Sequence, residues 1–428
     1  MQERDLYQQI LGLESPWKVT DVKFHKERSS DTTGNPLLKW QGEVTLRVEH
    51  SRSISLHCPE CNRKSPGYDT RPRRWRHLDT CQFKTVVVCD VPRIQCQEHG
   101  VHQVKVPWAE DGSRFTALFE ALAIDWLKEA SHLAVADILR LTWDQIDGIY
   151  QRAVKRGLLR RQPSRMHHLA VDETSFQKRH EYVTVVTNQD GNRVEFVADG
   201  RSKNVLDSFW QRLNANELEA VRTVSMDMWR PYIRSTMDYV PGAEHKICFD
   251  KFHVAKHLGG AVDQVRRMEH ADLLREGNDQ LKGSKYLWLQ NTGNMSNRRW
   301  QSFAELRASK LKTARAWHMK EVAMSLWDYV HPTWALKAWK KWLGWAARCR
   351  LNPMKSAAKM IGKHLQGILN AVVKKVSNAG AESINSKIQK IKSRACGFRN
   401  RERFRNAIYF HCGGLDMYPR LGSTHTKS

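Results

Sequence analysis

Five short apolar runs decide the fold: HLAVDE at 168–173, EYVTVVT at 181–187, RVEFVAD at 193–199, VRTVSMD at 221–227 and HKICFD at 245–250. Their β-branched and aromatic content predicts strands. Apolar positions at helical spacing follow from Lys203, and again from Pro231. The order β-β-β-α-β-α-β predicts an α/β domain. The first and fourth runs reach a carboxylate at their ends, Asp172 and Asp227. α/β folds collect their ligands at the carboxyl ends of buried strands. Glu173 would face away from Asp172 if the strand continued, which reads as a structural or capping role. Asp250 and His253 lie just beyond the fifth run, a position that disfavours Asp250 as a direct metal ligand.

Downstream, residues 259–375 read as helix after helix. They carry Trp288, Trp300, Trp317, Trp327, Trp334, Trp339, Trp342 and Trp345. Large aromatics filling a helical core is the preferred reading, with a platform for an unpaired base as the alternative. A last amphipathic helix, NAGAESINSKIQKIK at 378–392, begins near Ser377. It carries Glu382, with Ile384, Ile388 and Ile391 set to pack on the sheet. Acidic groups from two strands and one helix can hold two Mg²⁺ ions about 3.5–4 Å apart. Hard oxygen donors suit that ion better than zinc. This strand order, with carboxylates on its first and fourth strands, is that of a ribonuclease H-like core. The helix runs into a tail over residues 387–405 with eight basic residues against one acidic. Lys387, Lys390, Lys392 and Arg394 are its candidate DNA contacts.

Upstream, residues 112–161 contain three helical stretches without proline. Ser131 can cap the short middle one, and Thr142 the third, with Gln145 completing a capping box. A short helix, a tight turn and a capped helix predict a DNA-binding helix-turn-helix, with Trp143, Asp144, Gln145 and Asp147 exposed. Trp143, Gln145, Lys155 and Arg156 are the candidate contacts. A plain three-helix bundle is the alternative. Further upstream, HCPEC places Cys58 and Cys61 at two-residue spacing, and IQCQEH repeats it with Cys96 and His99. Two such knuckles predict a closed structural Zn²⁺ site in a ribbon. His57, Cys81, Cys89 and His102 compete for the fourth position. The intervening RPRRWRH at 71–77 would offer Arg71, Arg73, Arg74 and Arg76 to phosphates from a metal-stiffened loop. Residues 1–57 predict a helix over 5–13 and then extended segments such as 40–48.

The whole chain has 428 residues and a formal net charge of +25, from 70 Lys+Arg against 45 Asp+Glu. A hydrophobic content of 41% excludes wholesale disorder. No apolar run approaches the ~18–20 residues of a membrane span, and the N-terminus lacks a secretory signal's apolar region. The charge points to nucleic acid. Five of the nine cysteines crowd into residues 58–96, which suits a metal site and not a disulfide framework.

These motifs together resemble the DDE transposases of bacterial insertion sequences, of the ISL-three (ISL3) family. The resemblance rests on the CPxC module with its arginine stretch, the helix-turn-helix, the VDE of the first strand, MDMWRPYI around Asp227, DKFHVAKH, and NAGAESINSKIQKIKSRACGFRN. It implies Asp172, Asp227 and Glu382 as a catalytic triad holding two Mg²⁺ ions, and residues 259–375 as an insertion before the catalytic helix. It also implies cleavage at the element's terminal inverted repeats and strand transfer into target DNA, by a dimer or larger assembly, in a bacterial cytoplasm at the nucleoid. Three features depart from the family pattern. Ala379 separates Asn378 from Gly380, His99 stands where a cysteine is common, and Gln389 stands where a basic residue is common. The boundaries read as 1–52, 53–107 (zinc), 112–161 (helix-turn-helix), 165–258, 259–375 (insertion) and 376–428. The rival functions are a non-catalytic DNA-binding regulator and a structure-specific nuclease of the same fold.

Overall fold

A computed structural model describes residues 3–28, 40–177, 181–290, 293, 295–376 and 379–420. Ser377 and Asn378, the predicted start of the last helix, lie outside the described residues. The chain forms two compact units, Met1–Gln162 with Leu415–Ser428, and Pro163–Gly414.

The first unit is built on a sheet of β1 (Trp17–Arg28), β2 (Trp40–His50), β3 (Gly67–Thr80), β4 (Phe83–Cys96) and β5 (Gly100–Gln103). Its order is β1-β2-β4-β3, with β5 also on β4. The boundary read at 52/53 falls between strands of this one sheet. The N-terminal strands and the cysteine-bearing strands share one hydrogen-bonded sheet, because β2 pairs with β4 from Glu43↔Lys84 to Arg47↔Val88. The packing reason is one shared core, in which Trp17 and Trp75 each meet Trp108 edge to face at 5.1 and 5.3 Å. RPRRWRH is not a loop. It lies inside β3, with Trp75 and His77 turned into the core.

Three helices follow in this unit, Ala117–Glu129, His132–Leu139 and Trp143–Leu159, capped by Thr116, Ser131 and Thr142. The capping box of Thr142 and Gln145 is present on both sides. Arg140, with φ 55°, makes the left-handed turn between the second and third helices. Leu415 then returns against Gly157, where an added Cβ would come within 2.6 Å of it.

The second unit holds β6 (His168–Gln177), β7 (Glu181–Asn188), β8 (Arg193–Asp199), β9 (Thr223–Met226) and β10 (Ile247–Phe249). Their order is β10-β9-β6-β7-β8. β6–β7 and β7–β8 are antiparallel, whereas β6–β9 and β9–β10 are parallel. Helices Lys203–Trp210, Ala215–Ala220, Arg230–Tyr239 and Ala243–Lys246 fill the crossovers. The division drawn at 258/259 falls inside one helix, Lys251–Arg275, which Asp250 caps by accepting from the Phe252 amide at 3.1 Å. Trp288, Trp317, Trp339 and Trp342 are buried in one core with the sheet, which is the packing reading of the tryptophan-rich stretch. Helix Leu365–Lys374 lies against β10, so closely that a Cβ on Gly367 would meet the Phe249 ring at 2.4 Å.

Candidate functional site

Asp172 does not end its strand, because β6 continues to Gln177. What ends there is its parallel neighbour. Val171 is in register with Met226, the last residue of β9. Asp172 and Asp227 are therefore the next residues on adjacent parallel strands, whose spacing is about 4.8 Å. Each carboxylate accepts from the amide that follows it, Glu173 N to Asp172 Oδ1 at 2.7 Å and Met228 N to Asp227 Oδ1 at 2.6 Å. Burial raises the Asp172 carboxyl above the ordinary carboxylate range, and the nearby Asp227 charge adds to that.

Helix Ala379–Arg394 runs beside β6. Ile384 and Ile388 are buried, as their helical spacing predicts. On an adjoining face Asn385 Nδ2 donates to Asp172 Oδ2 at 2.5 Å, and Gln389 Nε2 to Thr174 Oγ1 at 3.2 Å. Lys392 Nζ donates to the Ser175 carbonyl at 2.6 Å. Gln389 and Lys392 thus fasten the helix to the strand. Glu382 lies one turn before Asn385 and is exposed. The three carboxylates are not within 4.8 Å of one another. Among the described residues only Cys58, Cys61, Cys96 and His99 form a group of three or more ligands that close.

Three neighbours, His253, Glu173 and Asn385, carry weight that the sequence only hinted at. His253 Nδ1 stands 3.5 Å from Asp227 Oδ1, presented by the first turn of helix Lys251–Arg275. Its signal is the three-residue step from the capping Asp250. Glu173, read as facing away, is paired with Arg201 at 3.4 Å. The signal for Asn385 is its three-residue step from Glu382 along the helix.

In the first unit, the predicted zinc ligands converge. Cys61 Sγ and Cys96 Sγ are 3.7 Å apart, and His99 Nδ1 lies 3.6 Å from Cys96 Sγ and 3.9 Å from Cys58 Sγ. A tetrahedral Zn²⁺ with bonds near 2.3 Å to sulfur and 2.0 Å to nitrogen requires edges of about 3.8 and 3.5 Å. The donor set and its spacing fit that ion. The His99 amide and ring, with the Glu98 amide, draw the Cys96 thiol down to about 6. Of the competing residues, Cys89 is buried elsewhere with its thiol pushed up to about 12. His102 bonds the His99 carbonyl, and neither Cys81 nor His57 joins the cluster.

The basic candidates differ in exposure and in the partners the fold gives them. Arg71, Lys155, Lys387, Lys390 and Arg394 are exposed. Arg73 donates to Gln103 at 3.0 Å, and Arg74 pairs with Glu43. Arg76 is turned inward, bonded to the His77 and Thr85 carbonyls and paired with Asp79. Arg156 is corrected as a DNA contact. It is 7% exposed, pairs with Glu110 and Glu120, and donates to the Met417 carbonyl. Trp143 stacks on His132 at 5.7 Å, and Asp147 is buried. Gln145 is exposed, but its Oε1 caps the Thr142 amide at 2.9 Å.

A mixed sheet with two neighbouring carboxylates, in one chain with a zinc-ligand cluster and three capped helices, is the combination found in a class of transposases. The transposase family model matches residues 169–408. The helix-turn-helix domain of transposase family ISL3 matches 104–154, and the zinc-finger of transposase IS204/IS1001/IS1096/IS1165 matches 55–99. The chain belongs to the ISL3 family of transposases. It is 26% identical over 424 residues to the transposase for insertion sequence element IS1557 of Mycobacterium tuberculosis, covering 92% of each chain. It is also 26% identical to the transposase for IS1001 of Bordetella parapertussis, covering 85% of this chain and 94% of that one. No helix among the described residues is long and apolar enough to cross a membrane.

Proposed function

We propose that this chain binds the terminal inverted repeats of its insertion sequence, hydrolyses the phosphodiester at their ends and joins the freed 3′-hydroxyls to target DNA. The observation that carries this reading is the register of β6 on β9, which sets Asp172 beside Asp227 where the parallel ladder stops. The strand order β10-β9-β6-β7-β8 supports a ribonuclease H-like core. Asp172 and Asp227 would hold Mg²⁺, with Glu382 as the third carboxylate from the neighbouring helix. The donors fit: two oxygen ligands side by side, one desolvated, are relieved of repulsion by a divalent cation. Two such ions, when bound, activate the attacking oxygen and stabilise the leaving one.

The chain's own residues hold this arrangement in place. Asn385 and the Glu173 amide each donate to Asp172, the Met228 amide does so to Asp227, and His253 flanks Asp227. Such orientation is what in-line displacement at phosphorus requires. The helix-turn-helix, Arg71 and Lys155 would bind duplex DNA. The basic residues after Glu382 would follow its backbone into the site. Two ends must be joined together, so a dimer or larger assembly is part of the proposal.

The test is cleavage and strand transfer on duplexes carrying the inverted repeat. Asp172→Asn, Asp227→Asn and Glu382→Gln should abolish both steps while end binding persists, and Asp250→Asn should retain cleavage. Full cleavage by Asp227→Asn would overturn the assignment. Cleavage without joining of pre-cut ends would favour a nuclease.

A further inference from the structure

The buried tryptophans of the helical stretch are committed to packing, whereas Trp229, outside that stretch, is not buried. It stands two residues after Asp227 and is 37% exposed. Its indole Nε1 donates to the Arg201 carbonyl at 3.0 Å, which fixes the ring's orientation. The Arg201 guanidinium carbon lies 4.8 Å from the Trp229 ring centroid and 4.3 Å from that of Tyr182. Its Nη1 pairs with Glu173, the residue after Asp172. A single bracket of a carboxylate, a guanidinium and an indole therefore runs from Glu173, beside Asp172, to Trp229, two residues beyond Asp227.

The turn that delivers Arg201 is anchored. Gly200, at φ 94°, donates its amide to the Tyr182 carbonyl at 2.7 Å and accepts from Thr184 Oγ1 at 2.7 Å. Thr184 in turn shares a 2.8 Å hydrogen bond with the buried Tyr232 hydroxyl. A solvated Arg–Glu pair needs neither two aromatic faces nor a fixed indole. An ordered guanidinium–indole stack on the rim of a carboxylate site has the chemistry to bind a flat, electron-rich ring attached to a phosphate. Arginine and aromatic faces stack nucleobases without sequence preference.

We infer that Trp229, held by Arg201, is the stacking surface for the unpaired nucleobase beside the phosphodiester that the carboxylates address. This rests on the reading that Asp172 and Asp227 act on DNA ends. Trp229 touches the base, whereas Arg201 and Glu173 position it.

The experiment uses the full chain carrying Asp172→Asn, so that DNA is bound and not cut. The probe is an inverted-repeat duplex with a short single-stranded end containing 2-aminopurine, compared with the same duplex fully paired. Stacking on Trp229 should quench the probe. Trp229→Leu, which keeps apolar volume without a π face, should remove the quench and weaken binding of the open-ended duplex by about 5- to 150-fold. Binding of the paired duplex should be unchanged, and Trp229→Phe should restore the quench. Wild-type quenching and affinity in Trp229→Leu would overturn the inference. So would equal weakening toward both duplexes, or failure of phenylalanine to rescue. Separately, cleavage by the Asp172→Asn chain would defeat the reading of the site itself, whatever the probe reports.

Discussion

Replacing Arg156 by methionine distinguishes a DNA contact from a buried strut. On the helix Trp143–Leu159, Arg156 sits beside Lys155, and a basic pair there invites assignment to phosphates. Yet the Arg156 guanidinium is bonded to Glu110 at 2.5 and 2.8 Å, to Glu120 at 2.8 Å and to the carbonyl of Met417. Breaking a buried ion pair by removing one partner costs about 3–5 kcal/mol, because the other charge is left uncompensated. Here Glu120 keeps Arg152 at 2.6 Å and Ser113 at 2.8 Å, and the less buried Glu110 keeps Arg160 at 3.5 Å. These remaining partners put the cost at the lower end, about 3 kcal/mol. At 1.4 kcal/mol per factor of ten, amide exchange across residues 143–159 should accelerate by about 100-fold. The assay is hydrogen exchange on the full chain, with DNA affinity measured against salt below the unfolding transition. The slope of log affinity against log salt should be unchanged by Arg156→Met and should shrink by about one unit or less in Lys155→Met. A reduced slope with unaltered exchange in Arg156→Met would refute the strut.

Two further outcomes follow from the first unit. His77 is 2% exposed and shares a 2.9 Å hydrogen bond with Thr116, the cap of the next helix. Burial, with the adjacent Arg76 charge, lowers its imidazole to about 4. The unfolded chain therefore takes up this proton first. The contribution of neutral His77 is complete above about pH 6.5 and is lost as pH falls toward 4, about 3 kcal/mol in all. Denaturant unfolding across that window should show the loss, and His77→Gln should flatten it. The cysteine cluster should carry one Zn²⁺ per chain by elemental analysis. Chelation, or Cys61→Ser, should accelerate amide exchange at residues 55–66 and 94–103 while leaving β6–β10 protected.

Much of the local structure was legible because it is encoded between near neighbours. Two-residue knuckles, a Thr142–Gln145 capping box and alternating apolar runs are read within one turn or one strand. The order of the second unit's strands and helices, and the four residues of the zinc cluster, are of this kind. The candidate site's carboxylates were legible as residue types in strand patterns. Their adjacency was not, since it depends on Val171 meeting Met226 and not a residue one step away.

The +25 charge behaves the same way. By itself, the sequence determined that the chain is basic enough for a polyanion, where the basic residues cluster, and which acidic groups stand out among them. Only the tertiary structure decided which cations are free. Arg156 is taken up by Glu110 and by a carbonyl 261 positions away, and Arg76 by Asp79 and by the His77 and Thr85 carbonyls, whereas Arg71 and Lys155 stay in solvent. The physical reason is that a charge buried in a protein must be paired, and its partners come from whatever distant segment the hydrophobic core brings against it. For Arg156, local spacing carries no record of those partners.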